Sequence, residues 1–299
     1  MILGALSESE YFDSHSGNDL RSISALALTY SPWFERNLSI GFARSVYAPV
    51  DGVAELAGHV IDVFMDVGRP NARPQSDLER DPDRDQIFSL FGRWILPRSG
   101  FETWFEWSRG EQPENVSDLL STPQHTQGYT LGLQWARPVG RDSRFRLQGE
   151  TTFLEGSHTW HSRRVISYYE SRPVLQGYTH RGRVLGAAIG PGASSQWFAA
   201  DLHAPTYEVG LFLGRIRWEN DAFFDAQVAP FIFDHDVSVF GGVRGGYRLG
   251  WGHLDGEITL GQRFNYLFQN PSLELAAPKG VNIRNLTFTL RFQPTLVRE

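Results

Sequence analysis

Cysteine is absent from the 299 residues, which removes disulfide frameworks, thiolate catalysis and zinc–thiolate sites from consideration. Lysine is almost absent as well. Lys279 is the sole one and, histidine aside, every other cationic side chain is arginine, a residue suited to sugar and carboxylate contacts. No apolar run approaches the ~18 residues of a membrane helix, so a helical membrane protein is excluded. Met1 to Leu6 shows no signal-peptide pattern. An excess of positive charge is also missing: the net charge is -6, which argues against a nucleic-acid partner, whose phosphates require a basic face.

What is present favours strands. Aromatic residues make up 13% of the chain and glycine numbers 30, a combination that suits strands and tight turns better than helices. Apolar and polar residues alternate over long segments. In Leu254–Phe268 one face reads Leu254, Ile258, Leu260, Phe264, Tyr266 and Phe268, against Asp255, Glu257, Thr259, Arg263 and Asn265 on the other. Ser143–Leu154 and Val237–Leu249 repeat the theme. Further strands are predicted at Leu20–Tyr30, Asn37–Tyr47, Gln86–Leu96, Gly100–Ser108, Gly128–Arg137, Gly182–Ile189, Ser194–His203, Tyr207–Trp218 and Asn282–Phe292. Globular strands cluster near ~5–6 residues, whereas outer-membrane strands need ~9–11, apolar outside and polar inside. The expected fold is therefore an all-β, antiparallel transmembrane β-barrel of outer-membrane type, a single domain over 1–299. A soluble β-sandwich is the competing architecture. Trp94, Trp104, Trp107, Trp135, Trp218 and Trp251 are assigned to interfacial aromatic girdles. Long loops are expected near 52–84, 110–127 and 157–181, the first with a short helix within Gly52–Gly68.

The chemistry-bearing residues divide into two groups. Glu102, Glu106, Arg144, Arg146, Glu150, Arg244, Asp255, Glu257 and Arg263 fall on polar strand faces and read as a luminal charge network, with Arg181 and Arg183 bracing Asp201 and Glu208. No pair among these carboxylates has a spacing that singles it out for glycoside hydrolysis, which needs ~5–5.5 or ~6.5–9.5 Å between the two groups. The second group lies in HTWHSRRVISYYESR: Trp160, His161, Arg163, Arg164, Tyr168, Tyr169 and Arg172. Flat rings for sugar faces and guanidinium groups for hydroxyls and acidic substituents make this the candidate polysaccharide-binding loop. His158 with His161, and Asp234-His235-Asp236, lack the wider spacing of a known metal site, so neither a metal nor a cofactor is expected. Gly190-Pro-Gly-Ala-Ser-Ser195 reads as a tight turn, since Pro191 removes a donor from any phosphate cradle.

The run QGYTHRGRVLGAAIGPGASSQWFAADL from Gln176 to Leu202, with PQHTQGYTLGLQWARP from Pro123 to Pro138 before it, resembles the capsule-assembly Wzi family of outer-membrane proteins. The resemblance implies a monomeric barrel of more strands than are found here, with a signal peptide upstream, so a member truncated at its N-terminus is expected. It also implies a lectin-like, non-catalytic role in attaching capsular or exopolysaccharide at the cell surface. Outer-membrane lipid and the insertion machinery become the other partners, the latter reading a closing strand that ends in Phe292. Gln293 to Glu299 depart from that pattern by extending beyond it. A pore on the same barrel, or a β-sandwich enzyme acting on glycans, are the alternatives.

Overall fold

The structure is a computed structural model that describes residues 1–14, 19–65, 84–110, 113, 116–157, 166–171, 173–224, 232–269 and 280–295. In chain order its strands are β1 Ile2–Ser7, β2 Leu20–Tyr30, β3 Leu38–Pro49, β4 Asp85–Leu96, β5 Phe101–Arg109, β6 Gln127–Val139, β7 Ser143–Phe153, β8 Thr179–His180, β9 Arg183–Val184, β10 Ser194–His203, β11 Tyr207–Trp218, β12 Asp236–Leu249, β13 Gly252–Phe264 and β14 Ile283–Pro294. Apart from the small β8–β9 hairpin, these form one 12-stranded sheet in sequence order, from β1 to β14. Among the described residues the sheet does not close, and β1 and β14 stand at its ends. Short turns at 97–100, 140–142, 204–206 and 250–251 lie at one end of the strands; the long connections lie at the other.

The alternating segments therefore fold as the antiparallel meander of an outer-membrane-type barrel, with strands of 9 to 14 residues from β2 onward, the two-residue β8 and β9 aside. Two expectations are corrected. Gly182–Ile189 is not a ladder strand: Arg181, Gly182 and Gly190 take positive φ, which breaks extended pairing, and only Arg183–Val184 pairs, in the β8–β9 hairpin. The last third of Leu254–Phe268 is not extended either. Asn265 turns into the left-handed region (φ 53°) and starts a 3-10 turn at Tyr266–Phe268. The helix expected within 52–68 is two 3-10 segments, Val53–His59 and Asp62–Phe64.

The described chain divides into two compact units. The first comprises Met1–Gly92, Glu106–Tyr129 and Leu154–Gly192. On one face of its strands Leu6, Tyr47 and Val174 form a core with Ile23 and Tyr178. Buried Arg21 donates to the carbonyls of Gly177 at 2.6 Å and Thr179 at 3.1 Å, and to the Gln176 amide oxygen at 3.2 Å. These bonds hold the loop that carries Tyr178 down on the sheet. On the opposite face the 3-10 segments are held by Ser24, bonded to the Val60 carbonyl at 3.0 Å. Arg44 adds bonds to the carbonyls of Val63 at 3.0 Å and Met65 at 2.8 Å.

The second unit comprises Arg93–Phe105, Thr130–Phe153 and Ala193–Glu299. Directly opposed residues of an antiparallel pair share a face, so its registers define both surfaces. One face carries Leu147, Phe198, Leu211, Leu213, Val243, Ile258, Leu260, Leu286 and Phe288, all substantially exposed. Near the short turns Tyr207, Tyr247, Trp251 and Phe292 continue it with aromatic rings, Trp251 and Phe292 in contact at 4.9 Å between centroids. An apolar band with an aromatic border is the lipid-facing surface of this fold class. In water, exposure of so large a contiguous patch is rare.

The asymmetry of the two faces has a measurable consequence. In protein refolded into lipid vesicles, Leu211→Arg is expected to lower the free energy of unfolding by about 2–4 kcal/mol, the cost of a cation on the lipid face. Thr289→Arg, on the opposite face, is expected to be nearly neutral. Guanidinium titrations of the two variants provide the comparison; equal costs would contradict the assignment of faces.

Candidate functional site

The polar face of the second unit is built from rows of side chains that run across the strands. One row reads Arg146, Asp201, Gly210, Arg244, Glu257, Thr289. Asp201, buried at 4% exposure, accepts from Arg146 (Nη2 to Oδ2, 3.0 Å) and Arg244 (Nε to Oδ1, 2.9 Å). Gly210 lies between Asp201 and Arg244 in the register, and a Cβ there would sit 2.1 Å from Asp201 Oδ1. Only glycine leaves room for the bridge. Arg244 consequently turns away from Glu257, its opposed partner in β13, and Glu257 accepts from the Thr259 hydroxyl at 3.0 Å instead. Arg244 also lies 5.6 Å from the Trp197 ring and 5.9 Å from that of Phe212, within cation–π range.

Nearer the long loops, Arg263 forms a two-point pair with buried Asp236, at 2.7 and 2.6 Å. Its guanidinium lies against Trp218 (4.8 Å) and Tyr266 (4.7 Å). Asp236 also accepts the Leu267 backbone N–H at 2.8 Å, so the same carboxylate orients Arg263 and anchors the turn that carries Tyr266. The Trp218 indole donates to Ser238 at 2.8 Å. Together these groups border a cleft of about 480 Å³ lined also by Phe240, Thr259, Asn285 and Thr287. Three aromatic rings, the hydroxyls of Ser238, Thr259 and Thr287, the Asn285 amide and a fixed guanidinium are the components that sugar recognition uses: apolar ring faces for C–H surfaces and directed polar groups for hydroxyls.

Of the residues expected in a charge network, Arg144, Arg146, Glu150, Arg244, Asp255, Glu257 and Arg263 stand on this polar face. Glu102 accepts from Arg93 at 2.6 Å, Glu150 from the Trp104 indole at 2.9 Å, and Asp255 pairs with His253 at 2.8 Å. In the places expected of Arg181 and Arg183, Arg146 and Arg244 hold Asp201, and His203 holds Glu208 at 3.0 Å. Trp104 and Trp218 are not girdle residues. Their positions put them on the polar face, where each indole N–H has a partner. Glu106 stands on the same side of β5 as Glu102, and Arg144 opposite His203.

Of the candidate loop residues, Trp160, His161, Arg163, Arg164 and Arg172 lie outside the described residues, as does His158. Tyr168 and Tyr169 are described, and both pack within the first unit. Tyr168 is 5% exposed and fills the space above Gly128, where a Cβ would lie 3.2 Å from its ring. Tyr169 stacks on Tyr178 at 6.4 Å and 15°, and its hydroxyl accepts the Ala187 N–H at 2.9 Å. Burial pushes both phenols above their ordinary range. Composition points to the loop and not to the Trp218–Arg263–Tyr266 cleft, because alternation alone puts Trp218 in an aromatic girdle and Tyr266 on the apolar face of one long strand.

This strand order, with its apolar outer band and polar inner face, defines the class: an antiparallel sheet of the outer-membrane barrel type. No protein-family model and no curated protein matches the chain. Among solved structures it is similar to Wzi from Escherichia coli, described as an outer-membrane protein involved in group 1 capsule assembly and a carbohydrate-binding β-barrel. The TM-score is 0.57 at 11% identity over 86% of this chain. The chain spans 50% of the length of that protein, so the likeness is one of fold.

Two outcomes follow from the site. Asp201→Asn leaves two arginines without their shared counter-charge. Breaking a buried pair costs about 3–5 kcal/mol, and partial exposure of both arginines (30% and 31%) places the expected loss at the lower end, readable as an earlier guanidinium midpoint. In the first unit, Tyr168 and Tyr169 have folded-state pKa values raised above the unfolded value of about 10. Their contribution to stability is complete below that pH and is lost as pH rises beyond it. Thermal melts across the alkaline range are expected to fall more steeply for the native chain than for the Tyr168→Phe/Tyr169→Phe variant.

Proposed function

We propose that this protein is an outer-membrane, lectin-like protein that binds capsular or exopolysaccharide at the cell surface and attaches it without catalysis. The observation that carries the reading is the cleft in which Trp218, Arg263 and Tyr266 stack beside Asn285, Thr259 and Thr287. The fold similarity to a carbohydrate-binding outer-membrane barrel supports the same class of ligand. Location follows from barrel physics: the apolar band faces lipid, short turns face the periplasm and long connections face outward. The cleft lies toward the long connections, the side on which a surface glycan arrives. On this reading the protein acts as a monomer, and β14, with Leu286, Phe288, Leu290 and Phe292 on one face, is the strand read by the insertion machinery. From their chemistry alone, Trp160, His161, Arg163, Arg164 and Arg172 are further contributors to glycan contact.

Binding is tested by retention of the detergent-solubilised chain on immobilised capsular polysaccharide, followed by tryptophan fluorescence. Trp218→Ala is expected to weaken retention by about tenfold, the equivalent of 1.4 kcal/mol, and Asn285→Ala by less. Large, unselective conductance in planar bilayers with no glycan retention would favour the pore and overturn the lectin reading. Release of reducing ends from the glycan would overturn its non-catalytic part.

A further inference from the structure

At the short-turn end of the second unit's polar face, one row reads His203, Glu208, Gly246, Asp255 across β10 to β13. His253 stands two residues from Asp255 on the same strand and therefore on the same face. One ligand atom each from Glu208, His253 and Asp255 lies within 4.8 Å of the others. The carboxylates are held by imidazoles: His253 Nε2 lies 2.8 Å from Asp255 Oδ1, and His203 Nδ1 lies 3.0 Å from Glu208 Oε2. Arginines occupy the adjoining register positions, Arg144 opposite His203, Arg248 opposite His253 and Arg291 opposite Asp255. Both acids nonetheless pair with histidine, a side chain that also ligates cations.

Gly246 is the floor on which these groups meet. A Cβ at that position would lie 2.9 Å from Asp255 Oδ1 and 3.0 Å from both Glu208 Cγ and His253 Nε2. Three potential ligands thus converge over a position that has no side chain, from strands on either side of it. A simple ion-pair rim has no need of that convergence.

We propose that Glu208, His253 and Asp255 form a binding site for a divalent transition-metal cation of the zinc class. One imidazole nitrogen and two carboxylate oxygens supply three ligands of a tetrahedral set, and water takes the fourth. The nitrogen ligand and the small donor number disfavour calcium, which takes 6–8 oxygens, and magnesium, which keeps an oxygen shell. His203 is a positioning residue: it orients the Glu208 carboxylate from outside, as hydrogen-bonded partners of metal ligands do. The bound cation ties β11 to β13 across β12. The site stands apart from the sugar cleft, at the other end of the strands, and does not depend on glycan binding.

The test uses the full chain folded in detergent micelles, stripped with a chelator and titrated with zinc chloride in the presence of excess magnesium and calcium. Saturable uptake of one zinc per chain at this site is expected by calorimetry. Gly246→Ala, which removes no ligand, and the double variant His253→Ala/Asp255→Asn are each expected to abolish it, while unheated electrophoretic mobility reports that the fold persists. His203→Gln is expected to weaken binding by roughly 10–100-fold. Cobalt(II) added to the native chain provides a readout independent of any variant: a saturable visible absorption band of low-coordinate cobalt is expected. Absence of saturable zinc or cobalt binding by the native chain, or undiminished stoichiometry in a folded double variant, would overturn the proposal.

Discussion

An antiparallel ladder obliges opposed residues to share a face, and most of this structure follows from how the protein manages the polar one. Once Leu147, Leu211, Leu213 and Leu260 are committed to one surface, the residues between them stand on the other in fixed rows. That surface collects Arg146, Asp201, Arg244, Asp236 and Arg263, charges that are costly to bring together unless each meets a partner in good geometry. Two carboxylates resolve most of it. Asp201 joins two arginines from different strands, and Asp236 fixes one arginine on two points while capping a turn. Glycine provides the room: at Gly210, and again at Gly246, the missing side chain lets groups from flanking strands close over the backbone. The glycine-rich β11 and β12 are thus part of the charge arrangement as well as of the ladder.

The ladder was legible because a period-two pattern repeated over ten or more residues has few competing explanations. β2, β10 and β11 coincide with the segments read from alternation. β1 was not read, because ILGALS is apolar with small residues on both faces and has no period to detect. The face of a tryptophan was harder to read than the strand it occupies. On β11 one face begins with Tyr207, Val209, Leu211 and Leu213 but ends with Arg215 and Arg217. The other begins with Glu208 and Gly210 and ends with Ile216 and Trp218. Polarity exchanges sides along the strand, so composition places Trp218 outside while parity places it inside. The register decides for parity.

The loop chosen from composition illustrates a different limit. Tyrosines and arginines packed into a short stretch look the same whether they meet a ligand or the protein itself. Here Tyr168 and Tyr169 meet the protein, as does Arg21 on the strand beneath, whose guanidinium is spent on loop carbonyls. The partners lie up to 158 positions away in sequence, beyond the reach of any local pattern. The structural role of these residues is to hold a long connection against the sheet of the first unit.

Pairing also bears on which part of a glycan the cleft would address on the proposed reading. The formal charge of -6 gives no general attraction for acidic sugars, and the arginines beside the cleft and in the Asp201 row are engaged already. Arg146, Arg244 and Arg263 each already hold a carboxylate, so an acidic substituent would compete with an intramolecular partner that pays no entropy of association. Arg263 instead serves as a rigid, planar surface between Trp218 and Tyr266, keeping two aromatic rings in place. On the proposed reading, selectivity then rests on the ring faces of the sugar and on hydroxyls within reach of Asn285, Thr259 and Thr287. On that reading, acidic groups of the glycan remain toward solvent. A wall whose arginines already hold carboxylates would, on the same reading, bind a glycan without depending on salt-sensitive contacts.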